Sequence, residues 1–108
     1  MTIKAPPRRV ESFELAGFDT LHVRALYVPE MFKLEKSAQG ITDDFPELCA
    51  LQLAAYFCDA SGNDALTLDE ARELVAHLEI NQLKALLAKG QALNTLTDAA
   101  VEAERKNS

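Results

Sequence analysis

Apolar and polar residues alternate with period two over residues 12–15 (Ser12-Phe13-Glu14-Leu15) and again over 21–26 (Leu21-His22-Val23-Arg24-Ala25-Leu26). Ala16-Gly17-Phe18-Asp19 supplies turn chemistry between them. This spacing predicts a short β-hairpin. Two strands alone are marginal in water, so the hairpin is expected to lie against helices or to add strands from a partner. From Val28-Pro29-Glu30 the pattern turns helical, with Pro29 at the helix start and Glu30 favouring the dipole; this helix should run to about Ala38 and stop at Gly40.

A second helix is expected to begin near Asp43-Asp44, with Glu47 completing a capping arrangement. Over 45–57 it is apolar almost all round, the pattern of a central helix buried on several sides. Thr67-Leu68-Asp69-Glu70 is a capping box, and Ala71, Leu74, Val75 and Leu78 follow as one helical stripe. A further helix over about 79–93 sets Ile80, Leu83, Leu86, Leu87 and Leu93 on a wide stripe. Gly90 inside it costs roughly 1 kcal/mol relative to Ala, which is either a tolerated flaw or the mark of another helix packed close by. The whole reads as a mainly α fold: a small helical domain with a short N-terminal β-hairpin.

The organisation follows as one domain over 1–108. Residues 1–11, with Pro6-Pro7-Arg8-Arg9, suit a flexible, solvated arm. Residues 12–96 form the folded core, and 97–108 a frayed helical tail. Composition sharpens this picture. Aromatic residues are 6% with no Trp, so the core must be mostly Leu, Ala and Val. Net charge is −6, which opposes binding to a phosphate backbone, and the short basic cluster Lys4, Arg8, Arg9 does not reverse that. No nucleic acid and no membrane partner is expected, since no run reaches membrane-spanning length. Met1 to Arg9 lacks a signal-peptide core, which points to the cytoplasm. Cys49 and Cys58 read as buried free thiols, because nine residues along one helix would turn them about 180° apart.

Candidate chemistry is sparse. Asp59, Ser61, Asn63, Thr67 and Glu70 fall at the oxygen positions of a twelve-residue calcium loop, with Leu66 at its apolar eighth position. The sixth position, which needs glycine, is Asp64, and Gly62 comes two places early. The same residues are explained by a turn at Ser61-Gly62-Asn63 followed by a helix cap. A degenerate calcium-binding regulatory module is therefore the alternative reading, and no other metal or cofactor is expected. His22 and His77 lie in different elements without a third ligand, and no serine sits in a nucleophile setting. No enzyme activity is expected.

Cys58-Asp59-Ala60-Ser61-Gly62-Asn63, then Leu68-Asp69-Glu70-Ala71 and Leu74, then Leu83-Lys84-Ala85-Leu86 and Ala92-Leu93-Asn94-Thr95-Leu96-Thr97, resemble the tail assembly chaperones of long-tailed, lambda-like siphovirus phages. Leu21-His22-Val23-Arg24-Ala25-Leu26 followed by Val28-Pro29-Glu30 is similar to that family's strand leading into its first helix, and Arg24 and Asn94 map onto its commonest polar positions. The resemblance implies a chaperone in the host cytoplasm that coats the tape measure protein before tail tube polymerisation. It also implies a longer product, made by ribosomal frameshift, that recruits the tail tube protein. Arg105-Lys106-Asn107 can be encoded by a slippery run of A.

Such a coat is expected to be a homo-oligomer, and head-to-tail contacts would make it a helical array. The apolar spacing offers Phe45, Leu48, Tyr56, Ile80, Leu83, Leu87 and Gly90 for client or self-contact. Polar replacement of Leu83 and Leu87 together is the natural test of that stripe.

Overall fold

The computed structural model describes residues 3–4 and 7–94, and within them a three-stranded antiparallel sheet and four helices. Strands β1 (Val10–Phe13) and β2 (Leu21–Arg24) form the expected hairpin, and β3 (Phe57–Cys58) adds to the other edge of β2. Gly17 bends the hairpin connection at φ +90°, where an L-residue would be strained. The strand order is β1-β2-β3.

Each helix start is fastened by a side chain. Glu30 accepts from the Tyr27 amide at 2.8 Å at the head of α1 (Val28–Gln39). Asp44 accepts from Glu47 N at 3.1 Å and opens α2 (Phe45–Tyr56). At α3 (Leu68–His77) the box closes both ways: Thr67 Oγ1 accepts from Glu70 N at 3.1 Å and Glu70 Oε1 from Thr67 N at 3.0 Å. α4 (Ile80–Asn94) follows after Leu78 breaks the helical backbone.

The core gathers around α2, which contributes Cys49, Ala50, Leu53 and Tyr56. Val23 and Phe57 come from the sheet, Ala71 from α3, and Leu83, Leu86 and Leu93 from α4. Leu53 and Leu86 are fully enclosed, each contributing roughly 1.5–3 kcal/mol by burial. Of the two readings of Gly90, the close approach is the one present. A Cβ built there would lie 2.7 Å from Tyr56 Cβ and 2.6 Å from its Cγ. Glycine lets α4 run against the ring of Tyr56.

Four expectations need correction. The central helix ends at Tyr56 rather than Phe57; Phe57 and Cys58 pair with Val23 and His22 as β3. An apolar run does not distinguish a helix end from a buried strand, because neither leaves a polar face. Cys49 and Cys58 consequently belong to different elements, both free and buried. Phe45 is not core: at the first position of α2 it is 58% exposed, and the buried stripe starts at Cys49.

The arm over 1–11 is shorter than expected at its C-terminal end. Val10 and Glu11 are already strand, Arg8 lies over the Tyr27 ring and pairs with Glu30, and Arg9 donates to Leu93 O at 3.2 Å. The expected tail at 97–108, the closing Leu96 and Arg105-Lys106-Asn107 lie outside the described residues. Among the described residues no helix is long and apolar enough to cross a membrane.

Candidate interaction surface

The acidic loop after β3 is organised by its own first residue and by a cation from the sheet. Asp59 Oδ1 accepts from Ser61 N at 2.8 Å and Asn63 N at 3.0 Å. Asp59 N donates to Asn63 O at 2.9 Å, and Gly62 turns the chain at φ +88°. Arg24, 5% exposed, reaches into this turn from β2. Its Nε donates to Ala55 O at 3.0 Å, one amino group to Gly62 O at 3.0 Å, and the other to Asp64 Oδ1 at 2.7 Å. The planar fork thereby ties the sheet to the end of α2 and to the loop.

This arrangement works against calcium at the five candidate oxygens. Asp59 faces backbone amides, Thr67 and Glu70 are spent on each other at the head of α3, and the Arg24 cation already lies against Asp64. Asp64 does not take the positive φ that the sixth loop position requires. Among the described residues no group of three or more His, Cys, Asp or Glu is placed to hold a metal ion. The Asp59-to-Glu70 stretch does what its turn and cap chemistry predicts.

Asn94 makes the second polar junction. Its Oδ1 accepts from Leu26 N at 2.7 Å, and its Nδ2 donates to Arg24 O at 3.0 Å and Gly90 O at 2.9 Å. The two polar residues singled out by the family resemblance therefore meet at one point, where the last described turn of α4 joins β2.

The seven residues offered for contact do not form one surface. Tyr56, Leu83 and Gly90 are buried within the chain's own core, Leu48 and Leu87 are half-buried, and only Phe45 and Ile80 are exposed. The larger exposed apolar surface lies on α1, a helix with no fully buried residue. Tyr27 is 51%, Val28 69% and Phe32 66% exposed. Beside them a groove of about 380 Å³ is walled by Met31, Phe32, Leu26, Leu93 and Asn94, with Arg9 and Glu35 at its rim. Sequence spacing contained this signal: Met31, Leu34 and Ala38 make one apolar stripe of α1, and Val28 with Phe32 makes a second that the core does not need.

Electrostatics adds local fastening. Arg72 of α3 grips Glu47 of α2 with contacts of 2.6–3.0 Å, and these hydrogen bonds hold the Glu47 carboxyl below its ordinary value. Burial pushes both cysteine thiols up, which suppresses the thiolate.

The class the fold defines is thus a small, mainly α domain whose polar residues lock the sheet to the helices and which, among the described residues, exposes three large apolar side chains together at the start of α1. No family model, no curated protein and no solved structure matches the chain.

Proposed function

We propose that this chain is a phage tail assembly chaperone that coats the tape measure protein before the tail tube polymerises. The observation that carries the reading is the exposed apolar ridge at the start of α1, where Val28 and Phe32 follow Tyr27, beside a groove of about 380 Å³. A long helical client offers amphipathic stripes, and such stripes bind apolar ridges and grooves by i, i+4 anchors. The motif resemblance adds Arg24 and Asn94, the residues that fix β2, and hence the start of α1, to the rest of the domain. In this role the protein works as a homo-oligomer in the host cytoplasm, and a longer, frameshifted form recruits the tail tube protein.

The test is mass spectrometry of the products of the native gene with its downstream DNA, carrying an N-terminal tag. A minor, longer product that diverges near Lys106-Asn107 is expected. A single product ending at Ser108 removes the frameshift from the proposal. Failure to co-purify with the tape measure protein of the same genome removes the chaperone role itself.

A further inference from the structure

β1 is an outer strand, with one side of its backbone turned away from β2. Its ladder with β2 runs from Val10↔Arg24 to Phe13↔Leu21, and one step earlier Ala25 N donates to Arg9 O at 2.9 Å. Hydrogen-bonded and non-bonded pairs alternate in an antiparallel ladder. Arg9, Glu11 and Phe13 therefore point their N–H and C=O groups at β2, while Val10 and Ser12 point theirs away. Among the described residues nothing accepts from or donates to these outward groups. The opposite edge of the sheet differs: β3 is two residues long and is followed on its far side by the Cys58↔Asp64 bridge.

We infer that the β1 edge pairs with the same edge of a second copy, antiparallel about a twofold axis at Val10. Backbone groups accept any extended strand, so the side chains select the partner. Twofold antiparallel pairing must place outward residues opposite outward residues, which leaves axes at Val10, Glu11 or Ser12. An axis at Glu11 sets two carboxylates face to face, which is destabilising. An axis at Ser12 opposes Glu11 with Phe13 and Glu14 with Val10, pairing neither charge.

The axis at Val10 places each Arg9 opposite Glu11 of the second copy, and Val10 opposite Val10. Glu11 is exposed and has no partner in its own chain among the described residues. Arg9 spends one amino group on Leu93 O and keeps other donors for a carboxylate. The complementarity thus chooses a second copy, in one register. The short, bridged edge at β3 closes the assembly as a six-stranded sheet instead of an open stack. The inference stands apart from the chaperone reading, because it uses neither α1 nor a client.

The experiment combines sedimentation velocity from micromolar to millimolar protein with hydrogen exchange read at the Val10 and Ser12 amides. A monomer–dimer equilibrium is expected, with both amides protected only as the dimer fills. Glu11→Lys, which sets Lys against Arg9 of the second copy, should weaken the dimer about tenfold without lowering the melting temperature measured at concentrations where both proteins are monomeric. Combining it with Arg9→Glu should restore association relative to Glu11→Lys alone. A protein that stays monomeric throughout, or a dimer unmoved by Glu11→Lys, overturns the inference. So does a dimer that leaves the Val10 and Ser12 amides fast-exchanging, since another surface then forms it.

Discussion

Asn94 bonds the backbone at Arg24 as a neighbouring strand would. Its amide donates to Arg24 O and accepts from Leu26 N, the pair of groups that one residue of a parallel strand would take. A primary amide carries the same donor and acceptor as a peptide, so the side chain extends the sheet on the side of β2 where β3 has ended. Asn94→Ala leaves both backbone groups without their partner and should cost about 2 kcal/mol. Asn94→Asp should cost more: it keeps the Leu26 bond but presents a carboxylate to two carbonyls. Urea midpoints with unchanged slope would check both.

Arg24 and Asp64 form one ion pair but should respond unequally to removal. The Asp64 side chain is 80% exposed, and Asp64→Ala should lose no more than about 0.5 kcal/mol. Arg24→Ala removes three hydrogen bonds and strands Gly62 O in a buried setting, at a cost of about 3 kcal/mol. Arg24→Lys should recover little, because an ammonium lacks the fork that spans Ala55, Gly62 and Asp64. Thermal unfolding of the three variants decides it.

Gly90→Ala tests the α2–α4 contact. Helix propensity favours Ala by roughly 1 kcal/mol. The new methyl would meet Tyr56 Cβ at 2.7 Å, an atom tied to the backbone that cannot swing aside. Overpacking of about 1–3 kcal/mol should win, giving net destabilisation. Gly40→Ala is the control: its φ is −80° and open space surrounds the site, so it should be neutral or slightly stabilising.

Stability should fall in acid below about pH 4.5, the ordinary value for Glu47 and Glu70. Hydrogen bonds from Arg72 lower the Glu47 carboxyl, and the Thr67 backbone amide lowers Glu70. Both groups are ionised in folded and unfolded chains above that pH, where their stabilisation is complete. As pH drops, the unfolded chain takes up protons first, and the contribution is lost through the depressed folded values. Glu70→Gln should flatten this acid limb in a Tm-against-pH series, and calcium at neutral pH should leave Tm unchanged.

On α1, Phe32→Glu should leave folding within about 0.5 kcal/mol of the parent, because the ring is 66% exposed. It should abolish capture of the tape measure protein if that ridge is the client surface. The Leu83 and Leu87 double replacement does not provide this separation: Leu83 is core, and a polar residue there unfolds the domain at a cost of several kcal/mol.

Helix starts were legible because capping is a local transaction between residues three apart: Asp44 with Glu47, Thr67 with Glu70. Gly90 was legible only as a choice of two causes, a tolerated flaw or a close contact, and the Tyr56 side chain decides for the second. Strand limits were harder to read. Arg8 and Arg9 looked solvated because a short basic run beside two prolines carries no sign of a partner, yet the Arg8 guanidinium lies over the Tyr27 ring and that of Arg9 donates to Leu93 O. β3 was hidden because two apolar residues at the end of an apolar helix carry no period. The exposure of the contact residues was least legible, for spacing reports which positions are apolar but not which of two stripes the core consumes. On α4 the core took Leu83 and Leu86; on α1 it took Leu34 and left Phe32 outside.

The bonds from Asn94 to Arg24 and from Arg9 to Leu93 join groups 70 and 84 residues apart in the chain. Long-range closures of this kind cost loop entropy before they return any energy, so they slow folding and come late. During synthesis the hairpin leaves the ribosome before α4 does, and Arg24 O and Leu26 N wait for their partner until Asn94 has been made. Any truncation before Asn94 therefore leaves Arg24 O and Leu26 N without the partner that caps this side of β2, rather than giving a slightly shorter version of the same domain.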